Sequence, residues 1–123
     1  MRDPITTDEY QIRTEGKTVV VDLPNTLTLD DEVSEQINEE FADAIADPRV
    51  DSVMTLLYVE NALSTGVFDE VKKGAQLANT NDIERWAVVV AQRVKGMAFD
   101  SSLEGLETRL FEDEPAAREW LST

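Results

Sequence analysis

Ser64-Thr65-Gly66 stands between an apolar run and an amphipathic stretch, and these are the residues of the sequence best placed to do chemistry. Hydroxyls and bare backbone at the start of a helix can receive an anion or a phosphoryl group, because the first-turn N–H groups and the helix dipole favour negative charge. The same hydroxyls serve equally well as an ordinary N-cap that satisfies an orphan backbone N–H. Gly66 suits either use, since it permits a turn or a close approach. Ser64 and Thr65 are therefore the phosphoacceptor candidates, and Asn61, Leu63, Gly66 and Val67 complete a corner expected to face a partner or a ligand.

Other chemistries lack their groups. The sequence has no histidine and no cysteine, which excludes disulfides, thiol nucleophiles, histidine general bases and the usual zinc sites. Asp30/Asp31, Glu39/Glu40 and Glu112/Asp113/Glu114 are pairs or runs of acids at helix starts or on solvent faces, where this acid content produces them by chance. Lys72 and Lys73 belong to a charged helix face rather than beside Ser64 as a base. No catalytic residue, cofactor or metal site is expected, and the chain reads as non-enzymatic. Phe68, Trp86, Met97, Phe99, Phe111 and Trp120 are either the wall of an apolar pocket or the aromatic part of a small core.

Of the 123 residues, 26 are acidic and 11 basic, a net charge of −15. The acids are spread over every segment, which reads as a surface adapted to high salt, where screening removes self-repulsion. The same charge argues against nucleic acid or an anionic membrane as partner. No signal peptide and no apolar run of membrane-spanning length are visible, and with no cysteine the expected location is cytoplasmic.

The elements that must position the corner follow from periodicity. Residues 1–9 are polar and expected to be loosely ordered, and 10–123 form one domain. Tyr10 to Arg13 and Thr18 to Leu23 read as a hairpin through Gly16, and Pro24 ends the second strand. Thr28 with Asp31 resembles a capping box ahead of a helix over about Leu29 to Ala46, with Val33, Ile37, Phe41, Ala44 and Ile45 buried. Val53 to Val59 is too continuously apolar for a half-exposed strand, so it is read as central and covered on both faces. Val67, Phe68, Val71, Ala75 and Ala78 mark the helix after the corner, with Asn79 to Asp82 as its exit turn. Trp86 to Ala91 is a further strand, Arg93 to about Leu103 a short helix, and Thr108 to Phe111 a last strand. Pro115 opens a final helix whose Ala117, Trp120 and Leu121 face inward. The order β-β-α-β-α-β-α-β-α implies an α/β fold, with about five strands in one mixed, mostly parallel sheet, four helices and an antiparallel N-terminal hairpin at the edge.

With this order, Leu63-Ser64-Thr65-Gly66-Val67, Ile83-Glu84-Arg85-Trp86-Ala87-Val88-Val89 and the acidic, alanine-bearing stretch Phe111 to Leu121 closing on Trp120-Leu121, the chain resembles the STAS superfamily, the anti-sigma-factor-antagonist-like fold, in its SpoIIAA-like branch. The resemblance implies a regulatory module that binds a protein, with a serine kinase of the anti-sigma type as the partner in signalling members. It also implies phosphorylation of a serine in an Asp-Ser-Ser/Thr-Gly corner, here Ser64. Leu63 takes the acidic position of that pattern, a departure from it. The alternative reading is a carrier or sensor of a small apolar ligand or lipid in a cavity between helices and sheet. The oligomeric state is not legible in the sequence.

Overall fold

The computed structural model describes residues 10–91, 93–101, 103 and 105–122, and the expectation for residues 1–9 lies outside them. The order is β1 (Gln11–Glu15), β2 (Thr18–Leu23), α1 (Asp31–Ile45), β3 (Ser52–Leu57), α2 (Thr65–Thr80), β4 (Arg85–Val90), α3 (Arg93–Asp100), β5 (Glu107–Phe111) and α4 (Glu114–Leu121). Gly16, at φ 63°, supplies the left-handed conformation that the tight β1–β2 turn requires. β1 pairs antiparallel with β2, and β2, β3, β4 and β5 then pair in parallel in sequential order.

Every residue of β3 is buried, Ser52 and Thr55 included, as a central strand covered on both faces requires. Alternate side chains divide between two cores. Val19, Val21, Val53, Leu57, Trp86 and Val88 join Phe41 and Ile45 of α1, Val67, Ala75 and Ala78 of α2 and Phe99 of α3. Val20, Met54, Leu56, Ala87 and Val89 point the other way, onto Ala117 of α4 with the half-buried Trp120 and Leu121. Parallel crossovers of one hand between sequential strands carry their helices to the same face, which is why, among the described elements, α4, following the last strand, is the helix that covers the other. Phe41 and Trp86 meet with ring centroids 5.2 Å apart, and the Trp86 indole N–H donates to Thr55 Oγ1 at 2.9 Å, which satisfies both polar groups inside the core. Ser34, on the buried stripe of α1, is the exception: its Oγ has no hydrogen-bond partner among the described residues, an arrangement costing about 1–3 kcal/mol.

Several boundaries differ from the sequence reading. α1 begins at Asp31, capped by Asp30, whose Oδ1 accepts from Val33 N at 2.9 Å; Thr28 makes no capping box. Asp30 carries the shorter reach from a β-region cap to the N3 amide. α2 runs through Asn79 and Thr80 because Asn79, Thr80 and Asn81 bond back to carbonyls one turn earlier and so hold the last turn in place.

A ladder of alternating charge ties the edge hairpin to α4. Arg13 meets Asp22 at 3.4 Å and Glu15 at 2.5 Å, and Arg118 meets Glu15 at 2.6 Å and Glu114 at 2.8 Å. The bond from Arg118, then that from Arg13, holds the Glu15 carboxyl below the ordinary glutamate range. Its folded-state value is thus lower than its unfolded one, so its stabilisation is complete above the ordinary value and fades as pH falls through the lowered one. Glu15→Gln should therefore lower the urea midpoint at neutral pH and lose less stability than the wild type on acidification below about pH 4.3. Phe41→Ala, which opens space against Trp86, should cost about 3–5 kcal/mol in the same measurement.

Candidate functional site

The corner lies where β3 leaves the sheet. Tyr58 N still donates to Leu23 O at 3.0 Å, Val59 is buried, and the chain then turns outward at Glu60. Asn61 clamps the loop that precedes α1: its Oδ1 accepts from Leu29 N at 3.0 Å and its Nδ2 donates to Leu29 O at 2.8 Å. One amide side chain thus supplies both partners of a buried residue's backbone, as a strand would. Leu63 is half-buried and packs against the larger core.

Ser64 is exposed and is the N-cap of α2, its Oγ accepting from Val67 N at 3.3 Å. That hydroxyl also donates to Asp31 Oδ1 at 2.6 Å. Asp31 stands in the first turn of α1, so its carboxylate bridges the N-termini of two helices, where both dipoles favour negative charge. Gly66 makes room for it: a Cβ there would fall 2.3–2.5 Å from the carboxyl atoms of Asp31. The close approach, rather than an unusual φ, explains the glycine. Thr65 is exposed as the first residue of the helix.

The structure therefore brings Asn61, Ser64, Thr65 and Gly66 to one surface together with Asp31, which sequence reasoning saw as part of an acidic pair. Val67, expected to face a partner, is instead fully buried in the main core, because it sits one turn into α2 on the side that meets the sheet. Ala75 is buried as well, so no apolar patch spreads over this helix. The rim of the corner is acidic, with Asp30, Glu32 and Glu60 exposed.

Beside the corner a groove of about 440 Å³ opens between Asp22, Pro24, Asn25, Tyr58, Glu60 and Ala91, at the carboxyl ends of the strands where ligands of parallel sheets settle. Burial, then the nearby carboxylates of Glu114, Asp22 and Asp113, pushes the Tyr58 phenol above its ordinary range, so it is a neutral donor in that groove. A cleft of similar size, about 430 Å³, lies at the opposite end of the strands among Lys17, Ser52, Arg85 and Arg118, and the corner residues take no part in it. Among the described residues no group of three or more acids is arranged to hold a metal, and no helix is long and apolar enough to cross a membrane.

Comparison with known proteins places this geometry. The family model described as SpoIIAA-like matches residues 19–122. Among solved structures, the chain is similar to an uncharacterised protein with a SpoIIAA-like fold from Shewanella loihica PV-4, at 19% identity over 91% of each chain with a TM-score of 0.64. It is also similar to the Bacillus cell fate determinant SpoIIAA in its phosphorylated form, at 20% identity over 90% of this chain and 98% of that one with a TM-score of 0.65. No curated protein sequence matches it. Likeness at these identities speaks for the fold, and the corner's chemistry rests on its own residues. If Asn61 is the clamp described, Asn61→Ala should cost about 1–3 kcal/mol in urea unfolding, because it strands both backbone groups of Leu29.

Proposed function

The chain belongs to the SpoIIAA-like family, and on that premise we propose that it is a non-enzymatic regulatory module that meets a protein partner through the corner 58–66 and the start of α1, with phosphorylation of Ser64 as its switch. The observation that carries this reading is the Ser64–Asp31 hydrogen bond of 2.6 Å on an exposed surface. In the unmodified protein the hydroxyl proton holds the Asp31 carboxylate against the first turn of α2. Transfer of the terminal phosphoryl group of a nucleoside triphosphate to Ser64 Oγ, with the nucleoside diphosphate leaving on its bridging oxygen and the hydroxyl proton passing to the kinase's base, removes that donor. It leaves a group of about −1.5 to −2 charge against a carboxylate. The contact breaks, Asp31 swings away, and the α2 N-terminus exchanges one anion for another. In the unmodified protein Asp31 stands, from α1, as the acid beside Ser64 that the corner lacks at Leu63.

The likeness to a Bacillus SpoIIAA described in its phosphorylated form supports the choice of modification. The acidic rim of Asp30, Glu32 and Glu60 suits a partner that presents basic side chains, such as a serine kinase of the anti-sigma type, in the cytoplasm. The carrier reading is the weaker of the two, since the cavity between helices and sheet measures about 50 Å³ against roughly 300–1,000 Å³ for sites that hold drug-sized ligands.

Intact-mass spectrometry of the protein isolated from its own cells tests the switch. One phosphate that is absent from Ser64→Ala is the expected result; an unmodified Ser64 under every growth condition, or a phosphate that persists in Ser64→Ala, contradicts it. Gly66→Ala, whose Cβ displaces Asp31 sterically, should shift the amide signals of Asp31 and Glu32 as phosphoserine does.

A further inference from the structure

β5 ends the sheet on the side away from the hairpin, pairing with β4 and with no other strand among the described residues. An open edge is a template for another chain, and proteins blunt such edges with charge or cover. The opposite edge is blunted, since the charges of β1 are committed to Asp22 and Arg118 in the ladder. The β5 edge has no comparable ties. Glu107 and Arg109 are exposed on one face of the strand, and the half-buried Leu106 and Leu110 pack against the larger core on the other. Glu107 stands 3.8 Å from Arg85. Arg13, Arg49, Arg85 and Arg118 each reach a carboxylate, whereas Arg109 lies over the Phe111 ring with no carboxylate in reach among the described residues. An arginine left unpaired is out of keeping with a chain of 26 acids and 11 bases.

The helix beside this edge adds a second observation. Gly96 of α3 stands directly over Val90 and Leu110, where a Cβ would fall 2.7–3.1 Å from their methyl groups, and Phe99 turns toward the seam between α1 and α2. α3 therefore lies close over β4 and β5. At about 100° per residue the rotation from Phe99 to Gly96 leads away from the seam, and Met97 continues it to the flank beside the open edge. Met97 is 58% exposed, the one exposed large apolar side chain among the described residues.

We propose that the β5 edge is a dimer interface, in which β5 pairs antiparallel with β5 of a second copy of this chain about a two-fold axis at Thr108. This register sets Glu107 opposite Arg109 of the second copy, and Leu106 opposite its Leu110, each twice. An axis at Arg109 would instead oppose two like charges. Glu107-Thr108-Arg109 is thus complementary to itself, as a two-fold interface demands and a strand of unrelated sequence would not be. The pairing continues the sheet with the same face upward, so the two α3 helices, each over β4 and β5, come to lie two strand spacings apart. At ~4.8 Å per spacing that is about 10 Å, the distance at which helices pack. Met97 of both copies fills the space between them. This surface does not include the corner, and the interface does not rest on Ser64.

Sedimentation equilibrium of the full chain from micromolar to millimolar concentration tests the interface, in about 0.15 M salt, where charges in contact still feel one another. A reversible monomer–dimer equilibrium is expected. Arg109→Glu and Glu107→Arg should each weaken dimerisation about tenfold, because each sets like charges opposite one another twice. The double variant restores both pairs with their signs exchanged, and should return to within about twofold of the wild type. A general effect of net charge would move the two single variants in opposite directions. Thr108→Cys gives a second reading in a chain that has no cysteine: a thiol on the axis meets its own counterpart, and mild oxidation should yield a covalent dimer. A monomer over the whole range, single variants that shift in opposite directions, a double variant as weak as the singles, or no cross-link at position 108 would each overturn the proposal.

Discussion

The parallel pairing of β3 with a strand on either side is the constraint on which the rest depends. A strand buried on both faces has no route for its backbone groups except its neighbours, and room for a polar side chain only where a partner satisfies it, as Trp86 does for Thr55. Parallel neighbours in turn demand crossovers, and crossovers of one hand in sequential order bring α1, α2 and α3 to one face. All three then begin at the carboxyl ends of the strands. That geometry sets the N-termini of α1 and α2 side by side, so the contact between Asp31 and Ser64 follows from the topology of the sheet as much as from the two residues.

The fold was legible because its signals were continuous. The apolar runs at Val19–Val21, Val53–Leu57 and Ala87–Val90 exclude half-exposed strands, and the element order they give with the intervening helices is the one observed. The corner was legible as a place, since a β-branched run feeding an amphipathic stretch through Ser64-Thr65-Gly66 has few other readings. Its inner workings were not. Thr28 and Asp30 are both capping residues, and sequence spacing does not decide which of them meets the Val33 amide. Asp31 read as one of many acids because its partner lies 33 positions away. Val67 read both as the head of the apolar stripe of α2 and as part of the partner-facing corner, and the crossover from β3 decides for the stripe by turning that residue straight onto the core. Ser34 gave no signal at all: a serine among apolar neighbours on a helix is silent until its surroundings are known. Gly66 is the residue that could have pointed to Asp31, since a glycine beside an N-cap without positive φ implies something packed against its backbone.

Charge is distributed with more discrimination than the net value of −15 suggests. Two of the arginines, Arg13 and Arg118, are committed to the ladder that joins the edge hairpin to α4. Arg85 donates to Trp120 O at 2.7 Å and lies over the Trp120 ring, anchoring the same helix. These cations hold the sparsely covered face, where α4 alone packs. The corner, by contrast, has carboxylates on its rim, and backbone dipoles of two helix N-termini favour the Asp31 carboxylate there. High salt would relax the ladder, because screening weakens exposed ion pairs.

The central claim is that Ser64 and Asp31 form one two-state contact shared by α1 and α2. Hydrogen–deuterium exchange on protein carrying phosphoserine installed at position 64 during synthesis tests this without any partner. The account predicts faster exchange over residues 29–34 and in the first turn of α2, with the strands unchanged. Identical exchange in both segments with and without the phosphate would contradict it, because the modification would then leave the start of α1 where it was.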